Sequence, residues 1–109
     1  MRYLIDIDGT ICEHCDNPNF GKGEVFHDRI SYINNHYNHG NEIIYYTARG
    51  MGEFDGDVNL ANQKWFDYTH QQLEEWKCQF HKLIVGKYSG DCYVDDKAIN
   101  CDDFFKNCR

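Results

Sequence analysis

Short apolar runs alternate with longer amphipathic stretches, and this alternation limits the folds open to the chain more than any other feature. The β-prone runs cover residues 3–7, 42–47, 83–85 and 92–94. Continuous short strands separated by helical segments are typical of a parallel sheet that helices cover on both faces. We therefore predict one α/β domain over residues 1–109 with a three-layer α/β/α arrangement and a parallel, Rossmann-like sheet.

The segments between the predicted strands carry helical patterns. Apolar residues recur every three or four positions from Phe26 to Tyr37, which predicts one helix ending near Gly40. A last short helix is predicted within residues 98–105. The loop that follows the first strand, residues 12–24, is polar and contains the single proline, so it is predicted to lack regular structure.

The stretch before the third strand is predicted to hold two short helices. The first carries an apolar stripe that includes Leu60 and Trp65. Thr69 and Gln72 then have the spacing of a capping box, in which a threonine caps a new helix and a glutamine three residues later reaches back. We therefore predict that a helix ends before Thr69 and that a second one begins there.

The charge balance limits the binding partners. Lys and Arg number 11 against 18 Asp and Glu, a formal net charge of −7. That balance argues against nucleic acids and anionic membranes as partners, because both require clustered cations. Apolar runs are too short to span a membrane and charged residues come early, so we expect a cytoplasmic protein without a signal peptide.

The six cysteines are predicted to be free thiols, as is usual in a reducing compartment. Cys12 and Cys15 form an isolated CxxC pair. Zinc would need two further ligands, and Cys101, Cys108 or a distant histidine would have to supply them. We therefore predict free thiols, with a structural metal ion bound by Cys12 and Cys15 as the alternative.

Polar residues cluster at the predicted carboxyl ends of the strands, where ligands bind in open parallel sheets. They are Asp6 and Asp8 after the first strand, Thr47 and Arg49 after the second, Lys87 after the third, and Asp95 and Asp96 after the fourth. Carboxylates crowded at one edge raise one another's pKa unless a cation compensates them. Mg²⁺, which prefers oxygen ligands and tolerates phosphate beside it, is the cation that we predict here.

The same residues, taken in order, resemble the four motifs of the haloacid dehalogenase (HAD) superfamily of phosphatases. Residues 6–10 read DIDGT, the first motif. Thr47, Lys87 and the pair Asp95-Asp96 match the second, third and fourth. The resemblance covers roughly residues 2–100 and is greatest to small HAD enzymes associated with capsular polysaccharide and sugar metabolism.

The resemblance implies a Mg²⁺-dependent phosphomonoester hydrolase with an aspartyl-phosphate intermediate. Asp6 is then the nucleophile and Asp8 the general acid and base. The implied phosphate contacts are Gly9, Thr47 and Lys87, and the implied substrate contact is Arg49. The implied metal ligands are Asp6, Asp8 through its backbone carbonyl, Asp95 and Asp96.

The segments between the strands are too short for a cap domain, so we predict a capless enzyme whose active site is open to solvent. Either the substrate is large, or a second copy of the chain covers the site. The predicted rim, residues 11–23 and 49–59, is rich in acids, which disfavours a polynucleotide and favours a phosphorylated sugar or small metabolite. A polynucleotide or protein phosphatase, and a non-enzymatic receiver module that is itself phosphorylated, are the alternatives.

Overall fold

The computed structural model describes residues 1–106 of the chain. Three strands alternate with three helices. The elements are β1 (Arg2–Ile5), α1 (His27–Asn38), β2 (Glu42–Thr47), α2 (Val58–Glu75), β3 (Lys82–Val85) and α3 (Cys101–Phe104). Each connection between two strands carries a single helix.

The strands form a parallel sheet in the order β1-β2-β3. Tyr3 pairs with Ile43, and Thr47 at the end of β2 pairs with Val85 at the end of β3. The predicted α/β class and the parallel direction of the strands are therefore confirmed. Because the strands run the same way, their carboxyl ends meet at one edge of the sheet.

The core forms around β2, the central strand. Its consecutive residues Ile43, Ile44 and Tyr45 are all buried. Successive side chains of a strand point to opposite faces, so both faces of β2 are covered. The helices contribute Ile30 and Ile33 from α1 and Ala61, Trp65 and Leu73 from α2.

Helix α2 runs without a break where two short helices were predicted. Asp57 caps it, because its carboxylate accepts a hydrogen bond from the backbone N–H of Leu60 at 3.1 Å. Thr69 lies inside the helix and is fully buried. The spacing of Thr69 and Gln72 therefore does not mark a helix start, and both side chains instead bond to Arg49.

The fourth strand predicted at residues 92–94 is absent from the sheet formed by residues 1–106. Tyr93 is 51% exposed and Val94 is 94% exposed. The hydroxyl of Tyr93 donates to the backbone carbonyl of Tyr88 at 2.7 Å and accepts from the N–H of Gly90 at 3.2 Å. These local bonds close the segment on itself, so it does not extend along β1.

The described cysteines Cys12, Cys15, Cys78, Cys92 and Cys101 are free thiols, and Cys108 lies outside the described residues. Burial raises the pKa of both Cys12 and Cys78 to about 12, so these two thiols stay protonated at neutral pH. Within residues 1–106, no helix combines the length and hydropathy that crossing a membrane requires.

The packing of α2 against the sheet predicts unequal effects for two leucines on that helix. Leu73 is fully buried, whereas Leu60 is 42% exposed. Leu73→Ala should lower the free energy of unfolding by about 2–5 kcal/mol, because it removes buried methyl groups and leaves a cavity. Leu60→Ala is the matched control and should change it by about 0.5 kcal/mol or less. Urea unfolding measures both, and equal losses would contradict the packing described here.

Candidate active site

The chain turns sharply after β1 and places Asp6 at the carboxyl edge of the sheet. The N–H groups of Thr10 and Ile11 both donate to the carbonyl of Ile7, at 3.0 and 2.9 Å. Gly9 adopts φ +83°, a conformation that side-chain-bearing residues rarely take. Its N–H donates to the carbonyl of Cys12 at 2.8 Å. The structure therefore gives Gly9 a role in the turn, where its N–H is already bonded, and its predicted phosphate contact stays a prediction.

Asp6 faces the cleft beside a cation. Its Oδ1 lies 3.6 Å from Nζ of Lys87, and its Oδ2 accepts a hydrogen bond from the Thr10 hydroxyl at 3.4 Å. Burial raises the pKa of the Asp6 carboxyl above its ordinary value, and the nearby Lys87 offsets only part of that rise. The side chain nevertheless stays 35% exposed, so its oxygens are accessible from the cleft.

Thr47 and Lys87 stand at the ends of neighbouring strands. The N–H of Lys87 donates to the carbonyl of Thr47 at 3.0 Å, which holds the two residues side by side. The Thr47 hydroxyl oxygen accepts from the N–H of Arg49 at 3.2 Å, so its own proton remains available to donate. Nζ of Lys87 also lies 4.3 Å from the centre of the Tyr93 ring.

Asp8 and Arg49 form a buried, bidentate ion pair. Nε of Arg49 bonds to Oδ2 of Asp8 at 2.8 Å, and Nη2 bonds to Oδ1 at 2.9 Å. The Arg49 side chain is 1% exposed and that of Asp8 is 12% exposed. Arg49 borders the cleft as predicted, but its guanidinium bonds to protein atoms and is not free for a substrate.

The residues at the strand ends open into a cleft of about 300 Å³. Both loops predicted as the rim contribute to its lining. The sequence patterns did not single out Asn17, Phe20, Ser89 and Tyr93, which also line the cleft, whereas Glu53 is one of the acids of the predicted rim. Aromatic and amide side chains in surface loops have no periodicity that marks them, so only folding shows that they share one cleft.

Glu53 connects the two rim loops. Its carboxylate accepts hydrogen bonds from Asn17 at 2.8 Å, from the Trp65 indole at 2.9 Å and from Lys64. These donors lower the pKa of Glu53 to about 2. All three carboxylates among the described lining residues therefore face a cation.

Asp95 and Asp96 do not line this cleft in the structure. Both are exposed, and Asp95 Oδ1 accepts from the N–H of Lys97 at 2.8 Å, a bond that lowers the pKa of its carboxyl. The prediction that they join Asp6 at the sheet edge required a fourth strand to carry them there. Because residues 92–94 form a local loop instead, this part of the predicted metal site is not assembled in the structure.

The donor set fits Mg²⁺ through one carboxylate. Mg²⁺ is usually bound by one or two carboxylates together with phosphate and water. Asp6 offers such oxygens to the cleft, whereas both oxygens of Asp8 already bond to Arg49. In the described part of the chain, no three His, Cys, Asp or Glu side chains come together to hold a metal ion. A Mg²⁺ ion here would depend on phosphate and water to complete its ligands.

A protein from Vibrio cholerae, whose crystal structure was determined as an MCSG target, is similar to this chain in fold. The TM-score is 0.85 and the sequences are 24% identical, over 94% of this chain and 85% of that chain. No protein-family model and no curated protein matches the chain. The likeness extends to the fold alone, so the chemistry has to be inferred from the cleft.

The raised pKa of Asp6 predicts a pH-dependent gain in stability for Asp6→Asn. Above that pKa the wild-type carboxyl is ionised in a site that disfavours the charge, so the amide variant should have the larger free energy of unfolding at pH 7. The gain should shrink as the pH falls through the raised pKa, and it should vanish below about pH 4, the ordinary range of aspartate.

Urea unfolding of both proteins in EDTA, at several pH values, measures this difference. Asp67→Asn is the matched control, because it makes the same chemical change at an exposed position on α2. It should leave the free energy of unfolding close to that of the wild type. A destabilised Asp6→Asn variant at pH 7 would instead mean that the attraction of Lys87 outweighs the cost of burial.

Proposed function

We propose that this chain is a capless phosphomonoester hydrolase of the HAD superfamily with a three-layer α/β/α fold. One observation carries the proposal. At the carboxyl edge of a parallel sheet, an accessible carboxylate (Asp6) stands beside a lysine (Lys87) and a buried hydroxyl with a free proton (Thr47). Nucleophile, cation and donor are the groups that phosphoryl transfer through an aspartyl-phosphate requires.

In the proposed first step, a carboxylate oxygen of Asp6 attacks the phosphorus of the ester. The bond from phosphorus to the leaving oxygen breaks, and that oxygen takes a proton from Asp8 and departs as an alcohol. Lys87 lies beside Asp6 and would hold the phosphoryl oxygens by charge. Thr47 would donate its hydroxyl proton to one of them.

In the second step, water attacks the phosphorus of the aspartyl-phosphate. The bond between phosphorus and the Asp6 oxygen breaks, which releases Asp6 as a carboxylate, and Asp8 accepts a proton from that water and so returns to its protonated starting form. The products are an alcohol and inorganic phosphate. Asp8 therefore gives one proton to the leaving alcohol and takes another from the attacking water.

When bound, Mg²⁺ would supply positive charge against the phosphoryl oxygens. Asp6 is the residue whose carboxylate is available to hold it. Ligation by Asp95 and Asp96, which the family resemblance implies, would require those residues to approach the cleft from their exposed positions.

The cleft favours a small phosphate ester. Its volume of about 300 Å³ lies at the lower end of the range for small-molecule sites. Phe20 and Tyr93 offer ring faces, while His14, Asn17 and Ser89 offer polar atoms. Among the described lining residues, Lys87 faces Asp6 and Arg49 faces Asp8, so neither cation offers an unpaired charge to a polynucleotide. We therefore propose a phosphorylated sugar or similar small metabolite as the substrate.

Loss of the nucleophile should abolish turnover. With 4-nitrophenyl phosphate and a panel of sugar phosphates, Asp6→Asn should release phosphate at least about 1,000-fold more slowly than the wild type, because an amide cannot form the covalent intermediate. Asp67→Asn should retain wild-type rates. An Asp6→Asn variant that unfolds at or above the wild-type temperature would show that the loss is chemical, and near-normal turnover would contradict the assignment.

Removal of Mg²⁺ should stop the reaction reversibly. EDTA should abolish phosphate release and added Mg²⁺ should restore it, whereas full activity in EDTA would exclude the proposed metal dependence. Repeated turnover also separates the hydrolase from a receiver module. The hydrolase releases many phosphates per chain, while a receiver would take up one phosphoryl group and keep it for seconds or longer.

A further inference from the structure

We propose that Arg49 is a positioning residue that orients the carboxylate of Asp8 for proton transfer, and that Gln72 of α2 holds Arg49 in place. The inference rests on the function proposed above and assigns a role within it. It replaces the expectation that Arg49 contacts the substrate.

Two parallel hydrogen bonds fix the plane of the Asp8 carboxylate. The last torsion of an aspartate side chain is broad, so a free carboxylate rotates over a wide range. The bonds from Nε and Nη2 of Arg49, at 2.8 and 2.9 Å, hold both oxygens at once. The Cys12 thiol lies 3.6 Å from Oδ1 on another side. Oδ2 accepts only from Nε of Arg49 and so retains a lone pair for the proton that Asp8 exchanges.

Helix α2 holds the other end of the guanidinium. Nη1 of Arg49 donates to Oε1 of Gln72 at 2.7 Å and to the hydroxyl of Thr69 at 3.2 Å. Thr69 is fully buried. These bonds hold the guanidinium of Arg49 in one position relative to Asp8, so helix α2 determines the orientation of the two bonds to the carboxylate.

The orientation of Gln72 is itself determined. Its Nε2 donates to the carbonyl of Phe20 at 2.8 Å and to the hydroxyl of Tyr68 at 3.1 Å, which leaves Oε1 to accept from Arg49. The Tyr68 hydroxyl donates to the same carbonyl of Phe20 at 2.7 Å. A chain of directed bonds therefore runs from the rim loop through α2 to Asp8.

This arrangement makes a prediction that depends on the leaving group. Phenol, with a pKa near 10, leaves poorly unless it is protonated, whereas the much more acidic 2,4-dinitrophenol leaves as its anion. A misplaced Asp8 should therefore slow cleavage of phenyl phosphate and spare that of 2,4-dinitrophenyl phosphate. General damage to the fold or to phosphate binding would slow both esters alike.

The experiment compares kcat/KM for the two esters in the full chain with Mg²⁺, since kcat/KM covers the step that breaks the ester bond. Gln72→Met keeps the length of the side chain but removes its bonds to Arg49 and Phe20. It should lower kcat/KM about tenfold for phenyl phosphate and less than about threefold for 2,4-dinitrophenyl phosphate. Gln71→Met makes the same change at the exposed neighbouring position and should alter neither value.

Arg49→Lys keeps the charge but loses the two-pronged fork. It should lower kcat/KM about 100-fold for phenyl phosphate and only about threefold for 2,4-dinitrophenyl phosphate. Thermal unfolding checks that each variant is folded. If Arg49→Lys does not fold, the comparison of the two esters with Gln72→Met is sufficient to test the proposal.

Equal losses on both esters, no loss on either, or faster cleavage of phenyl phosphate would overturn the positioning role and leave the hydrolase assignment intact. A wild-type chain that cleaves neither ester would overturn both.

Discussion

The buried pair of Arg49 and Asp8 joins three parts of the chain at the edge of the sheet. Asp8 lies in the turn after β1, Arg49 follows β2, and Thr69 and Gln72 of α2 bind the same guanidinium. Both side chains are largely withdrawn from water, and loss of one partner of such a pair costs about 3–5 kcal/mol. The turn that presents Asp6 is thereby fastened to the rest of the sheet edge.

Charge compensation is a second consequence of this arrangement. From sequence, the carboxylates at the strand ends outnumbered Lys87 and Arg49, and a metal ion was predicted as the further compensating cation. In the structure Lys87 faces Asp6, Arg49 faces Asp8 and Lys64 faces Glu53. The cleft of an acidic chain can therefore receive a phosphate group without first overcoming three unpaired negative charges. In the proposed mechanism, Asp6 and the phosphate would hold the metal ion.

The spacing of some residues was noted correctly, but the structural role predicted from it was wrong. Thr69 and Gln72 stand three apart, a distance that suits a helix cap and equally suits two neighbours on one face of a continuous helix. Their partner, Arg49, is some twenty residues away in sequence, so no local pattern could reveal it. The fourth strand failed for a similar reason, since the bonds of the Tyr93 hydroxyl to Tyr88 and Gly90 compete with pairing to β1.

The local sequence pattern is sufficient to predict several of the helices and strands, because their periodicity involves residues that lie close together in the sequence. The bounds of β2, the stripe of α1 and the parallel α/β class all follow from apolar spacing, because burial of one face or both faces imposes a period on the residues. The positions of Asp6, Thr47 and Lys87 at strand ends follow as well. Which side chains then touch depends on three-dimensional proximity. Folding alone pairs Arg49 with Asp8 and draws Glu53 across the rim, while it leaves Asp95 and Asp96 in solvent, because hydrogen bonds form between neighbours in space whatever their distance along the chain.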